Sequence, residues 1–334
     1  MKTPSVICRK AKDYFDTPNS PFVDVHEHLV NALILTVRSV NKADQTAELY
    51  DTLPNILFNS PHGLGKSLLA VTFRTDLSLL IGRDVPMITV DCSQDTREQH
   101  LKGNLVGMGD ETPFVLGPAT DAINLANETG CCILNLEEIS ALTPGSQKML
   151  NSILDWRRSL EIPQLARKFS LSGVARVLVW ASMNPSAYGG VYTLNDDLRS
   201  RFREFRVPFP NQEQELEILK AVFRIGSSGP SGLLRAREVL ANRVPRDVID
   251  EALLENLTTL ASQTRGDSLE YHFGTRDLVK FLEDAQRTQR IDIAAEINLL
   301  NKFDGSERDT MADRIDASLS TSLKARVAKE VRNV

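Results

Sequence analysis

The residues with the clearest chemical potential lie between 57 and 67, where the chain reads LFNSPHGLGKS. An apolar start (Leu57, Phe58) runs into Ser60, Pro61, His62, Gly63, Leu64, Gly65, Lys66 and Ser67, and a helix-like SLLAVTF follows. Strand, glycine-bearing loop, Gly-Lys-Ser and helix, in that order, form the pattern of a loop that wraps a nucleotide triphosphate. Backbone N–H groups of the loop and of the helix N-terminus supply partial positive charge to the phosphates. Lys66 is expected to reach the β/γ-phosphates and the Ser67 hydroxyl to ligate Mg²⁺. One position departs from the pattern G-x-x-x-x-G-K-[ST]: Ser60 stands where the first glycine is expected.

Further along, an apolar run ends in Glu137-Glu138. Two carboxylates at the C-terminal edge of a strand suit a sheet whose phosphate loop opens from the same edge. One can hold Mg²⁺ through its water shell, and the next can orient and polarise an attacking water. The plainer alternative is a pair of acids at the start of a helix. RVLVWASMN then finishes in Asn184-Pro185, either a turn or an amide placed to hydrogen-bond the γ-phosphate and the water. In LNDDLRSRFREFRVPFP, Arg199 and Arg201 have no evident local acid partner after them. They read as surface charge or as a guanidinium supplied to a phosphate in a neighbouring subunit. Arg276, in Gly274-Thr275-Arg276, reads as a helix-start arginine or as one reaching back to the same phosphates.

These groups need elements to hold them. Helical periodicity runs over 23–40, with Val25, Leu29, Leu33 and Val37 in one row, and a second helix is expected over about 66–80. Segments 85–92, 131–138, 176–184 and 202–210 read as strands. Strands alternating with helices predict a parallel sheet covered on both faces. From Asn211 the pattern turns helical, over QEQELEILKAVFR, SGLLRAREVLAN, DVIDEALLENLTTLAS and TRDLVKFLEDAQRTQ, which predicts a separate helical domain.

Composition sets outer limits. With 42% apolar and 25% charged residues, the 334-residue chain can bury a sizeable core and form two domains. It has no run of about 18 apolar residues, and its N-terminus lacks the apolar core of a signal peptide, so a cytoplasmic protein without a membrane span is expected. The cysteines (Cys8, Cys92, Cys131, Cys132) show no metal-binding spacing and read as buried thiols. A formal charge of −5 disfavours general nucleic-acid affinity, although a local basic patch or pore stays compatible with it.

SPHGLGKS, ILNLEE, WASMNP, LRSRF and GTR occur in an order that resembles the AAA+ ATPases, and more narrowly their MoxR and dynein-related (McrB- and midasin-like) branch. LKGNLVG and the following FVLGPATDAINLANETGCCILNLEEI resemble that branch's inserted hairpin leading into the acid strand. LDWRRSLEIPQLARKFSLSGVARVLVWASMNP resembles its hairpin before the sensing Asn. The resemblance covers roughly residues 20–290. It implies a P-loop parallel α/β sheet with helices on both faces, over 21–210, and a smaller all-α lid over 211–304. A loose arm at 1–20 and a C-terminal helix at 305–334 flank them. It also implies ATP as the nucleotide, a choice that no residue shows, with Lys66 and Ser67 at phosphate and Mg²⁺ and Glu137 at the metal. Glu138 is then the base, Asn184 the first sensor, and Arg201, or less well Arg199, the finger. Arg276 matches the second sensor. Such proteins work as rings, commonly hexamers, and many act with a partner that carries a von Willebrand factor A domain. Glu137 replaces the usual Asp; its extra methylene moves a metal contact by about 1.5 Å. With Ser60, it puts the turnover rate in question. A nucleotide-gated structural subunit and a McrB-like nucleic-acid motor are the alternative functions.

Beyond the resemblance, Met311, Ile315, Leu319, Leu323, Val327 and Val331 recur every four residues. That stripe predicts a helix packed on its own lid or on a neighbouring subunit, or else one that docks another protein.

Overall fold

The computed structural model describes residues 28–40, 47–106, 113–155, 157–185, 192–223, 249–267, 269, 271–288 and 291–332, with side chains at 40, 287–288 and 320–332 excluded. The expected N-terminal arm and the helix expected over 231–242 lie outside the described residues.

Three apolar runs form the middle of a five-stranded parallel sheet. They are β3 (Asn55–Asn59), β7 (Cys131–Glu137) and β10 (Arg176–Met183), and their residues are buried almost without interruption. Burial on both faces explains why they lack the alternation of a half-exposed strand. β4 (Met87–Asp91) and β11 (Arg203–Arg206) are the edges, in the order β11-β3-β10-β7-β4. β11 is shorter than the strand expected over 202–210, because Pro208 and Pro210 cannot donate to a ladder. Register places the chemistry: Met183 pairs with Asn59, and Ala181 pairs with Leu136. The residues that leave these three strands therefore emerge along one edge.

Helices cover the sheet. α2 (Lys66–Ile81) buries Leu69, Phe73, Leu77 and Leu80, which recur at helical spacing on one face. Trp180 of β10 stacks on Phe58 at 4.7 Å and meets Phe73 at 4.6 Å. α4 (Pro118–Thr129) starts on a proline and stops at Gly130, whose φ of 84° suits a helix end. α5 (Pro144–Leu154) is capped by the Thr143 hydroxyl, which accepts from the Ser146 N–H. Two short antiparallel hairpins are inserted, β5–β6 (Gly103–Leu105 and Phe114–Leu116), which follows the short α3 (Glu98–Lys102), and β8–β9 (Ser159–Ile162 and Arg167–Ser170).

The helix expected over 23–40 ends earlier. α1 spans His28–Thr36, and Val37–Val40 is a strand, β1, paired with β2 (Ala47–Leu49). The Thr36 carbonyl accepts the Tyr50 N–H at 3.1 Å, and the β-branched Val37 and Val40 suit the hairpin that follows.

Contacts divide the chain into two units. The first runs through Pro61 and from Lys66 to Pro208; the second holds His62–Gly65 and the chain from Phe209 onward. The second unit is helical: α7 (Gln212–Phe223), α8 (Glu251–Gly266), α9 (Thr275–Thr288), α10 (Ile291–Asn298) and α11 (Gly305–Arg332). Leu257, Phe273, Phe281 and Phe303 are in its core, together with Met311, Ile315 and Leu319. The first half of the C-terminal stripe is thus buried in its own unit; Leu323, Val327 and Val331 fall outside the described side chains.

Candidate active site

Ser60 follows β3 and is fully buried, with its N–H donating to the Met183 carbonyl at 3.2 Å. Its φ is not positive, unlike those of Gly63 (77°) and Gly65 (80°). The backbone therefore requires glycine at 63 and 65 but not at 60, which accounts for the departure from the glycine pattern.

Lys66 opens α2, and its ammonium donates to three oxygens: Ser60 O at 2.8 Å, Pro61 O at 3.0 Å and Asn184 Oδ1 at 2.7 Å. Ser67 Oγ donates to Glu137 Oε2 at 2.8 Å. The other oxygen of that carboxylate accepts from Asn135 Nδ2 at 3.2 Å, and Asn135 also donates to Thr89. Asn135 and Glu137 lie two apart on one face of β7, so the amide orients the acid.

These residues fit a magnesium ion. Two adjacent oxygens of an octahedral shell at 2.0–2.1 Å lie about 2.9 Å apart, close to the Ser67–Glu137 separation. The longer Glu137 side chain thus still reaches Ser67. Among the described residues no three His, Cys, Asp or Glu side chains cluster for a metal. Phosphate and water oxygens would complete the shell, as magnesium prefers.

Glu138 is exposed, with left-handed backbone at φ 55° and ψ 43°. A non-glycine residue in this region costs about 1–2 kcal/mol, and such strain collects at functional positions. The turn throws the Glu138 side chain out of the strand's alternation. Its carbonyl accepts from the Ala141 N–H, which starts the short helical turn Ile139–Ala141. Nearby, burial pushes the Cys92 thiol up to about 12, with the charges of Asp91 and Glu138 adding to it, so Cys92 stays a neutral thiol.

Both arginines of the LRSRF stretch have acid partners, contrary to the sequence reading. Arg199, at the end of α6 (Asp196–Arg199), makes a two-pronged pair with Glu204, at 2.8 and 3.0 Å. Glu204 also accepts from Asn59 at 3.0 Å. Arg201 bonds to Asp197 at 3.1 Å and to Asp155 at 3.5 Å. Within the second unit the Arg276 N–H donates to Gly63 O at 3.2 Å. The Arg276 guanidinium is exposed and makes no hydrogen bond or ion pair with another described residue.

The structure thus brings Lys66 to Asn184 and Ser67 to Glu137. It leaves Arg199 and Arg201 on acids of their own unit, and Arg276 beside the loop tip. Asn135, Glu204, Asp155 and Asp197 were missed by sequence reasoning. Asn135 alone had a visible signal, a polar residue inside an apolar strand and two before an acid.

Sheet, loop and lid-like helical unit define a P-loop nucleotide-binding fold. Residues 55–202 match the family described as the AAA domain of the dynein-related subfamily. Over that stretch the chain is similar to AAA domains of the dynein-related subfamily, a family whose members are generally ATPases that bind nucleotide. An uncharacterized protein of Staphylococcus aureus strain USA300 is 28% identical over 265 residues, covering 75% of this chain and 92% of that protein. A second, from strain NCTC 8325 / PS 47, is 32% identical over 167 residues, covering 48% of this chain and 58% of that protein. The chain therefore spans little more than half the length of that relative. Among the described residues no helix is long and apolar enough to cross a membrane.

Proposed function

We propose that the chain hydrolyses ATP as one subunit of a ring, commonly a hexamer in this branch, and uses the cycle to rearrange a partner protein. The observation that supports this best is the Lys66–Asn184 contact, which sets a phosphate-binding ammonium beside an amide able to hold the attacking water. Ser67 and Glu137 would hold Mg²⁺, which neutralises phosphate charge when bound. Glu138 would accept the proton of the water as its oxygen bonds to the γ-phosphorus. The bond from that phosphorus to the bridging oxygen breaks, giving ADP and phosphate. Arg201 of a neighbouring copy would offset charge on the departing group, and Arg276 would contact the phosphates. The family resemblance suggests a von Willebrand factor A domain protein as the partner and the cytoplasm as the location. It also keeps a McrB-like role on nucleic acid as an outcome to test.

A second reading, a nucleotide-gated subunit with little turnover, draws on the pairing of both Arg199 and Arg201 with acids of their own chain. Phosphate release from purified protein separates the two. The first reading predicts Mg²⁺-dependent release that Lys66→Ala abolishes; oligomers that form with ATP but release no phosphate would establish the second.

A further inference from the structure

The backbone of Arg201 is held by a buried polar cluster that begins far away in sequence. Asn55, at the start of β3 and 5% exposed, donates its Nδ2 to Arg201 O and to Leu154 O, both at 2.9 Å. Its Oδ1 accepts from Arg158 Nη1. Arg158 also donates to Ile153 O at 2.7 Å and to Leu53 O at 2.8 Å. It is 4% exposed and sits in left-handed backbone at φ 44°. Burial pushes its guanidinium down to about 10, so it remains charged at neutral pH.

Burying a charge is unfavourable unless its donors are matched, and an apolar pair often stabilises a core better. Here one of the three matching oxygens, Ile153 O, sits at the C-terminal end of α5, where the helix dipole is negative, and Leu53 O and Asn55 Oδ1 supply the others. The same helix, capped by Thr143 a few residues after Glu138, holds the chain that leads to Arg201. Gln147 Oε1 accepts from the Asn195 N–H at 2.8 Å, and Asn151 donates to Asp197 Oδ2. Arg201's own side chain has weaker ties, to an exposed Asp197 and to Asp155 at 3.5 Å. Its guanidinium can exchange partners while its backbone stays pinned.

We propose that Asn55 and Arg158 are positioning residues for Arg201, fixing its backbone against α5 and β3 so that its guanidinium is presented at one place to a phosphate of a neighbouring copy. This rests on the reading of Arg201 as an arginine supplied between subunits. A misplacement of roughly 1 Å at such a group can cost on the order of 100-fold in rate.

Asn55→Asp keeps the acceptor for Arg158 but replaces the donor to Arg201 O with a repelling oxygen; Asn55→Ser, shorter by one heavy atom's reach and uncharged, draws its hydroxyl back from Arg201 O, and is run in parallel in case the first does not fold. The full chain should lose about 100-fold in turnover with little change in ATP affinity. Mixing either variant with Glu138→Gln chains should restore turnover several-fold above each alone. The Asn55 variant still has its base, and its neighbour brings a well-placed Arg201. Arg201→Ala mixed with Glu138→Gln is the control. No recovery in that control defeats the reading of Arg201 itself. Recovery there, with wild-type turnover in a folded Asn55 variant or an Asn55 loss that mixing does not repair, overturns the positioning role.

Discussion

Lys66 Nζ donates to Asn184 Oδ1 at 2.7 Å, although 118 positions separate the two residues. The contact follows from register, since β10 ends beside β3 and the next residue of each leaves the sheet on the same edge. A group held by Lys66 is therefore within reach of the Asn184 amide. Asn184→Ala is expected to lower turnover about 100-fold, the usual scale for losing one aimed polar group, while nucleotide affinity changes by only a few-fold. Steady-state phosphate release together with direct nucleotide titration separates the two effects.

The loop predicts opposite outcomes at its first position and at Gly65. Ser60 has no positive φ, and its backbone already serves Met183 and Lys66. Ser60→Gly should leave turnover within about threefold and reduce stability by roughly 0.5–1 kcal/mol through added backbone freedom. Gly65→Ala forces a side chain to φ 80° and should weaken nucleotide binding at least tenfold, about 1.4 kcal/mol, the scale of left-handed strain. Equal effects at both positions would show that the loop geometry has been misread.

Asn135 is 2% exposed, and its Oδ1 finds no hydrogen-bond partner among the described residues. Asn135→Leu removes a half-satisfied buried amide, so stability should move by no more than about 1 kcal/mol. Glu137 would lose its orienting donor, and half-saturation of turnover by Mg²⁺ should need about 10–100-fold more metal, as for other supports of metal ligands. An unchanged Mg²⁺ requirement would remove Glu137 from the metal's surroundings.

Much of this arrangement was legible in the residues. β3, β7 and β10 announce themselves as largely apolar runs, and Lys66, Ser67, Glu137 and Asn184 stand at their ends in a recognisable order. Val37–Val40 misled, because a β-branched row after a helix fits either structure until Tyr50 closes the hairpin on Thr36. The partners of Arg199 and Arg201 were hidden for another reason. Glu204 and Asp197 are close in sequence, but only the turn after α6 aims them at the guanidinium groups. Asn55 and Arg158 are 103 residues apart, and neither carries a local signal of the other. Whether Ser60 disturbs the loop was a question of one dihedral angle, which composition does not encode.

Asp76, on α2, is 3% exposed, and its Oδ2 has no hydrogen-bond partner among the described residues. Burial raises its carboxyl from 3.8 to about 7. Between those values the folded chain keeps a proton that the unfolded chain has released, so stability falls as pH rises through the window and levels off above it. The ceiling is on the order of 4 kcal/mol. Asp76→Asn should flatten that slope, and thermal melts at pH 5 and pH 8 on both proteins compare them. Parallel pH dependence in the two would mean that Asp76 ionises as an ordinary surface acid does.

In the proposed mechanism Glu138, turned out of the strand by its left-handed backbone, removes the proton of the attacking water. Phosphate release and ATP retention by Glu138→Gln, measured side by side with the wild-type chain in Mg²⁺, test it most directly. The expected result is ATP bound as tightly as by the wild type, with turnover lower by about 10²–10⁴-fold. Hydrolysis by Glu138→Gln at the wild-type rate would rule Glu138 out as the base.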